Sequence, residues 1–507
     1  MAAENVTAPP VMTVMTVMTA DAAAQRYRQL PHNRYDLAII GGGSAGISAA
    51  DLARALGASV ALIEREKLGG ECLYTGCVPS KALLHAAQVV ANVRAATSVG
   101  LRATLEPTDL GPVMDSVKRA TERVYIETDA PEHLLAQGID VAFGAARFRS
   151  PRELQVNGQT VTARHYLIAT GSHPAIPPIP GLAETGFLTN ETIFSLRELP
   201  ARLAIIGGGP IGCELGQAFA RLGSQVTILQ RPARLLPKDE PEASALLQAR
   251  LVSEGVMVLL EATVKHVMRS AQGITLTAHV GQEMQQIESD AILIATGRAP
   301  NVASLDLDVA GVQYDAQRGV HVDAFLRASN PHIYAAGDVT GGYLFAHAAA
   351  RDARLAVRNA LFPGARKRDT HVMPWATFTE PEIAHVGLTE VEARSQHGAT
   401  VQVTTQAYSG VDRAVTDGAT TGFVKLVHTA KGQLLGAQIV GPRAGDNINE
   451  LTLALAQRLT LGQIAAATHV YPTLALAIQP AAGIAAMAQT RRSSIVRLFT
   501  WLRGLAR

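Results

Sequence analysis

The alternation of apolar and polar positions shows one structural unit twice along the chain. In YDLAIIGGGSAGISAADLARALGASVALIERE, from Tyr35, the run Leu37 to Ile40 has the length and residue types of a buried strand. A glycine turn and an Ala-rich helix follow, and a second apolar run, Val60 to Ile63, ends in Glu64. ARLAIIGGGPIGCELGQAFARLGSQVTILQR, from Ala201, repeats the order of strand, turn, helix and strand. HYLIATGSHPAIPPIPG from His165 and AILIATGRAPN from Ala291 each read as a strand entering Ala-Thr-Gly. NPHIYAAGDVTGG from Asn330 is a strand that runs into Gly337 and Asp338. In GGECLYTGCVPSKALLHAA, from Gly69, a helical run follows Cys77.

The two ends depart from this pattern. VMTVMTVMT, Val11 to Thr19, has no basic start and no long apolar core, so it makes a poor signal peptide. Residues 1–32 are expected to form a flexible, loosely ordered extension. At the other end, RRSSIVRLFTWLRGLAR from Arg491 can place Val496, Leu498, Phe499, Trp501, Leu502 and Leu505 on one face among arginines. Such a helix docks on its own domain or a partner subunit, the favoured reading, or lies on a membrane surface. No run reaches the roughly 18 apolar residues that span a bilayer.

A length of 507 residues sets a prior of about three domains. A net charge of +2 gives no reason to expect a nucleic-acid partner. Three cysteines cannot staple a disulfide framework, and a close pair such as Cys72 and Cys77 points to catalysis or metal binding in a reducing cytoplasm.

The glycine turns carry specific chemistry. Gly41, Gly43 and Gly46 stand in G-x-G-x-x-G register. The first permits the tight turn, the second lets backbone approach a pyrophosphate, and the third lets helix and strand pack closely. The helix N-terminus faces the phosphates, and Glu64 can accept both ribose hydroxyl hydrogens. Gly207, Gly209 and Gly212 repeat the register, but Gln230 replaces the acid, with Arg231 next and Arg234 three residues on. A carboxylate there would repel a 2′-phosphate, whereas glutamine and arginines accept one. NADPH is therefore expected over NADH, although a glutamine does not shut NADH out. Two fingerprints imply two dinucleotides, or one dinucleotide and a flavin.

The order of first fingerprint, C-x4-C-V-P-S-K, Ala-Thr-Gly, second fingerprint, Ala-Thr-Gly and Y-A-A-G-D resembles the flavoprotein disulfide reductases, from about Tyr35 to about Pro480. The resemblance implies an α/β fold of two Rossmann-like dinucleotide-binding domains and a C-terminal α+β dimerisation domain. It implies FAD on the first fingerprint, with Glu64 at the ribose and Asp338, beside Gly337, near the ribityl chain. A nicotinamide dinucleotide is implied on the second. Thr170, Gly171 and Gly297, from the Ala-Thr-Gly turns, join the implied cofactor contacts, and Lys81 should lie by the flavin and pair with Glu214. The implied domains are FAD-binding over 33–180 and 300–370, nucleotide-binding over 181–299 and dimerisation over 371–490, before a basic amphipathic tail, 491–507. A homodimer follows, because the C-terminal domain completes the neighbour's site.

Positions five apart in an ideal helix are about 8 to 9 Å apart between α-carbons. A disulfide tolerates roughly 7 Å, so a Cys72–Cys77 bridge needs a distorted turn, which Thr75 and Gly76 can provide. Pro79 suits the first turn of the next helix, and Cys77 near that N-terminus should have a lowered pKa. A zinc site wants four ligands, and no second Cys or His pair has the spacing for one. Cys213, in the second fingerprint helix, reads as a small buried side chain.

Disulfide-reducing members carry His-Pro-Thr-x-x-Glu near the C-terminus, where histidine protonates the leaving thiol and glutamate orients it. Here Tyr471 precedes Pro472-Thr473 and Leu476 replaces the glutamate. His469, two residues away, is a catalytic candidate that could substitute if the backbone is extended there, but it is expected to lack a placed acid. A tyrosine there resembles the mercuric reductase branch, where it helps hold Hg(II) against the thiolates. ELGQAFARLGSQVTILQR also resembles that branch's NADPH-binding helix and strand. An N-terminal C-x-x-C domain and a C-terminal cysteine pair are absent, which weakens the metal reading for soft Hg(II) without abolishing it. Three readings stand: NADPH-dependent reduction of Hg(II), or of a small Hg(II)–thiol complex held transiently by Cys72 and Cys77; a dihydrolipoamide-dehydrogenase-like disulfide oxidoreductase; and a flavin redox sensor or membrane-associated electron-transfer protein.

Overall fold

The computed structural model describes residues 19–492, with Trp501 and Arg503. The repeated apolar runs form the centres of two sheets. In the first, Asp140–Phe143, Val60–Glu64, Arg34–Ile40 and Gln159–Ile168 lie side by side in parallel. Glu153–Val156 and Ala146–Ser150 extend it antiparallel. Ile333–Ala335, beyond the whole second unit in sequence, returns to pair in parallel with Gln159–Ile168. Leu37 to Ile40 and Val60 to Ile63 are buried throughout, as expected for strands covered on both faces.

The second sheet is parallel, in the order Met257–Leu259, Gln225–Leu229, Arg202–Ile206, Ala291–Ile294. A three-stranded antiparallel sheet, Ala262–Ser270, Gly273–Val280 and Glu283–Ser289, packs beside it. Ser172–Pro174 and Arg298–Pro300, which leave the two Ala-Thr-Gly turns, pair with each other and tie the units together. A five-stranded antiparallel sheet closes the fold, in the order Trp375–Thr377, Glu382–Gly387, Leu434–Gly441, Phe423–Thr429, Val401–Ala407. Helices Ala444–Ala456 and Ile478–Arg492 share its core.

Part of the stretch read as a flexible extension is ordered. Ala20–Arg26 is a helix, capped by Thr19 Oγ1, which accepts the Ala22 N–H at 3.3 Å. Asp21 in the first turn and Arg26 in the last suit the helix dipole, and the alanines favour helix. Ala23 is fully buried, Asp21 lies 3.3 Å from Lys67, and the Phe143 N–H donates to Tyr27 O at 2.6 Å. The correction to the sequence reading is therefore confined to residues 19–32: the helix docks beside the edge strand Asp140–Phe143, and the buried Leu30 donates its N–H to Gln159 Oε1 at 2.9 Å. The VMT repeat before Thr19 lies outside the described residues, as do Val496, Leu498, Phe499, Leu502 and Leu505 of the basic tail; Trp501 is exposed. Among the described residues, no helix is long and apolar enough to cross a membrane.

Candidate active site: two nucleotide cradles and a thiol pair

The two glycine turns are built alike. Gly41 and Gly207 have φ of 108° and 116°. A Cβ on Gly41 would sit 2.3 Å from Ala169 O, and one on Gly207 would sit 2.3 Å from Ala295 O. Gly46 and Gly212 are tighter still, at 1.8 Å from Gly41 O and 1.9 Å from Gly207 O. No side chain fits at any of the four. Gly43 and Gly209 cap the helices Ser44–Ala55 and Pro210–Leu222 without a side-chain cap, which leaves first-turn N–H groups for an anion. Beyond the first turn, Glu64 accepts the Gly42 N–H at 2.6 Å and the Glu66 N–H at 2.8 Å. Burial raises the Glu64 pKa, and these donors oppose that. In the second cradle Gln230 accepts the Gly208 N–H at 2.8 Å and donates to Arg234 O at 3.1 Å. Arg231 is exposed, and the half-buried Arg234 donates to Pro237 O at 2.6 Å. The first cradle, with an acid at its rim, suits a ribose with free hydroxyls; the second, with an amide and two cations, tolerates a phosphorylated one.

The Ala-Thr-Gly turns converge near the thiols. Thr170 Oγ1 donates to Asn301 O at 2.8 Å, Asn301 N donates to Gly171 O at 3.0 Å, and Gly297 O accepts from Ala175 N at 2.9 Å. Asp338 accepts from Ser172 Oγ at 2.6 Å and lies 3.7 Å from Arg298 Nε, while Gly337 fits its turn with φ of 80°. Arg298, nearly buried, also pairs with Glu71, whose other oxygen accepts from Asn190 Nδ2 at 2.8 Å. Burial pushes the Glu71 carboxyl up to about 7, against the pull of Arg298. The sequence reading missed Glu71, Ser172, Asn190 and Arg298. Adjacency to Cys72 and to the second Ala-Thr-Gly was the only available signal, and Glu71 and Arg298 stand 227 residues apart.

The thiols sit where one helix ends and another begins. Gly70–Tyr74 stops at Thr75 (φ −139°, ψ 5°) and Gly76 (φ −124°, ψ −114°), and Cys77 opens the helix Cys77–Ala95. This break is the distorted turn that proximity of the two cysteines requires. A Cβ on Gly76 would lie 3.0 Å from Glu71 O, so glycine suits the close approach. The thiols are unbridged and hydrogen-bonded to each other. That bond favours the Cys77 thiolate, with Lys81 assisting against burial, and lowers its pKa from 9.0 to about 7. Cys72 shifts the opposite way, raised by the same bond and then by burial. Lys81, one turn after Cys77, reaches Glu214 Oε2 at 2.8 Å and lies 4.4 Å from the Phe378 ring centre. Glu214 Oε1 accepts the Phe378 N–H at 2.9 Å, so fingerprint helix, thiol helix and C-terminal domain meet at one carboxylate. Cys213 is fully buried, and burial raises its pKa.

On the C-terminal domain Tyr471 is 66% exposed, and its hydroxyl donates to Asp412 Oδ2 at 2.9 Å, which raises the phenol pKa. Leu476 is half-buried. His469 differs from expectation. It does have a placed acid: Nε2 lies 2.9 Å from Glu450 Oε1, and Nδ1 lies 3.0 Å from Ala467 O. A carbonyl only accepts, so Nδ1 carries a proton, and Nε2 is committed to the carboxylate. Both ring nitrogens are thus engaged within the chain. Among the described residues, no group of three His, Cys, Asp or Glu is placed to hold a metal ion.

Comparison with known proteins agrees with this architecture. Residues 35–353 match the model for pyridine nucleotide-disulphide oxidoreductases, and residues 373–482 match the family's dimerisation domain. A mercuric reductase of Staphylococcus aureus is 39% identical over 453 residues, 88% of this chain and 82% of that protein. A dihydrolipoyl dehydrogenase of Thermus scotoductus is 38% identical over 456 residues, 88% of this chain and 96% of that protein. The Cu(II) complex of the HOCl-induced flavoprotein disulfide reductase RclA from Escherichia coli superposes with a TM-score of 0.79. It is 30% identical, with 89% of this chain and 100% of that chain covered. The family implies FAD and NAD(P)H, and its dimerisation domain supports a homodimer. The chain belongs to the pyridine nucleotide-disulphide oxidoreductase family and is an FAD-dependent oxidoreductase.

Proposed function

We propose that the protein uses NADPH to reduce Hg(II), or a related thiophilic electrophile, at Cys72 and Cys77. The observation that carries this reading is Tyr471 with Leu476, where disulfide-reducing members place histidine and glutamate. A phenol with pKa near 10 and a leucine make a poor proton relay at neutral pH. Reduction of Hg(II) to the metal consumes two electrons and needs no proton delivered to a leaving thiol. The identity to a mercuric reductase supports the same reading.

In this reading the FAD-binding domain comprises 33–180 and 300–370, the nicotinamide domain 181–299 and the interface domain 371–490. Bound FAD would supply a two-electron carrier between nicotinamide and thiols. The chain's own residues do the rest. Glycines 41, 43 and 46 admit one pyrophosphate and glycines 207, 209 and 212 the other. Gln230 avoids a carboxylate at the 2′-phosphate, and Arg231 and Arg234 supply cations. Cys77, about half ionised near pH 7, is the ready soft ligand, and Cys72 supplies the second sulfur once its proton leaves. Lys81, tied to Glu214, keeps positive charge beside that thiolate.

Dihydrolipoamide dehydrogenase-like activity is the second reading, favoured by the 38% identity to such an enzyme. Steady-state assays separate the two. Hg(II) in excess small thiol should stimulate NADPH oxidation, with Cu(II), a borderline thiophilic ion, as a further arm. NAD+ reduction by dihydrolipoamide faster than the Hg(II) reaction would overturn the first reading in favour of the second.

A further inference from the structure

The loop from Arg231 to Glu240 joins the second strand of the nicotinamide cradle to helix Pro241–Ser253 and carries Arg231 and Arg234. Within it the Asp239 N–H donates to Leu236 O at 3.0 Å, and Ser244 Oγ of the following helix donates to Leu235 O at 2.7 Å. Leu236 sits in it with φ of 44°, a backbone state that a branched side chain keeps only under outside constraint. The Leu236 N–H donates to Gly208 O at 3.0 Å, which couples the loop to the fingerprint turn.

A further constraint comes from the C-terminal sheet. Lys425 stands opposite Gln438, Gln438 opposite His385, and His385 opposite Trp375, a row of four side chains across four adjacent strands. On the same face, two residues along each of three of these strands, Ile383, Phe423 and Val440 share one apolar cluster with Leu235 and Leu236 of the loop. The polar row meets the loop's last two residues. Trp375 Nε1 donates to Asp239 Oδ1 at 3.0 Å, and Gln438 Oε1 accepts the Glu240 N–H at 3.4 Å. Lys425, 3% exposed, reaches Glu240 at 3.0 Å, Glu242 at 3.0 Å and Glu390 at 2.9 Å. Glu240, 1% exposed, also accepts the Glu390 N–H at 2.6 Å. Burial opposes the Lys425 charge, but the three carboxylates outweigh it and raise its pKa. Lys425 is thus the cation that lets Glu240 and Glu242 lie beside an anion-binding loop.

We propose that Lys425 is a positioning residue for recognition of the 2′-phosphate: by holding Glu240 against the C-terminal sheet, it fixes the 231–240 loop and its arginines on the cradle. This rests on the NADPH reading above. A change at Lys425 should therefore alter discrimination between adenosine ligands with and without a 2′-phosphate.

The test is calorimetric titration of the flavin-loaded enzyme with adenosine 2′,5′-bisphosphate and with 5′-AMP. The wild type should prefer the bisphosphate. Lys425→Met should cut that preference roughly tenfold, the scale of a coupling carried through packed networks, and leave 5′-AMP affinity unchanged. Glu240→Gln keeps the volume of the side chain and should move the preference the same way; it serves if Lys425→Met fails to yield holoenzyme. A wild type that binds both ligands alike overturns the NADPH reading and the inference with it. A discriminating wild type with equally discriminating variants overturns the inference alone. Parallel loss of both ligands marks general loosening and also overturns it.

Discussion

Gln230 occupies in the second cradle the position that Glu64 occupies in the first: each accepts the N–H of its turn's middle glycine, Gly208 at 2.8 Å and Gly42 at 2.6 Å. One duplicated geometry thus sets a carboxylate at one rim and an amide at the other. Gln230→Glu should keep the backbone contact but set a charge against a 2′-phosphate. Like-charge juxtaposition of this kind costs several kcal/mol at contact, and about 2 kcal/mol, or roughly 30-fold in kcat/KM for NADPH, is expected here. NADH turnover should stay level or rise. Steady-state kinetics with both nucleotides check this, and an unchanged ratio would remove Gln230 as the discriminator.

The third glycines separate the cradles by experiment. Gly46→Ala would drive a Cβ to 1.8 Å from Gly41 O, and Gly212→Ala to 1.9 Å from Gly207 O. Gly46→Ala should purify colourless or with weakly held flavin. Gly212→Ala should purify yellow and resist reduction by NADPH. Absorption spectra before and after anaerobic NADPH addition decide the matter, and the reverse outcome would invert the assignment of the two sites.

The thiol pair sets a pH dependence. Cys77 has a folded pKa of about 7 against an ordinary 9.0, first through the hydrogen bond from Cys72 and then, against burial, through Lys81. A depressed acid contributes stability that is fully present above pH 9 and is lost as pH falls through 7. Alkylation of the reduced enzyme by iodoacetamide should therefore rise with pH to a midpoint near 7. Lys81→Met should move that midpoint upward. A wild-type midpoint at the ordinary thiol value would show that neither contact favours the thiolate.

Tyr471 and Leu476 can be exchanged for the residues of the disulfide-reducing pattern. Tyr471→His with Leu476→Glu should raise lipoamide reduction by roughly 10²-fold, the low end of general acid–base catalysis, and lower Hg(II) turnover. Tyr471→Phe should lower Hg(II) turnover without creating the disulfide activity. A double variant that gains nothing with lipoamide would show that proton delivery does not limit that reaction.

Legibility followed range in the chain. Both glycine turns were readable because strand, turn, helix and rim residue lie within about thirty residues and each glycine has a local steric cause. The break at Thr75 and Gly76 was readable because two thiols five residues apart cannot meet along an unbroken helix. The Lys81–Glu214 contact spans 133 residues and came only by resemblance. Nothing local pointed to Glu450, because its contact with His469 depends on how helix Ala444–Ala456 packs beside the chain after Ala466. The row from Trp375 to Lys425 was invisible for a related reason. His385, Gln438 and Lys425 each look like a stray polar residue in an apolar strand until register aligns them with Trp375. The helix over Ala20–Arg26 has only a short local signal, the Thr19 cap and a run of alanines, with no apolar periodicity in the repeat before it.

The central claim is tested most directly by anaerobic titration of the purified holoenzyme. NADPH should bleach the oxidised flavin absorbance, and Hg(II) in excess thiol should restore it with two electrons per Hg(II). The paired Cys72→Ser and Cys77→Ser substitutions should leave the flavin bound and reducible but abolish reoxidation by Hg(II). A flavin that NADPH fails to reduce, or serine variants that Hg(II) reoxidises at the wild-type rate, would contradict the account.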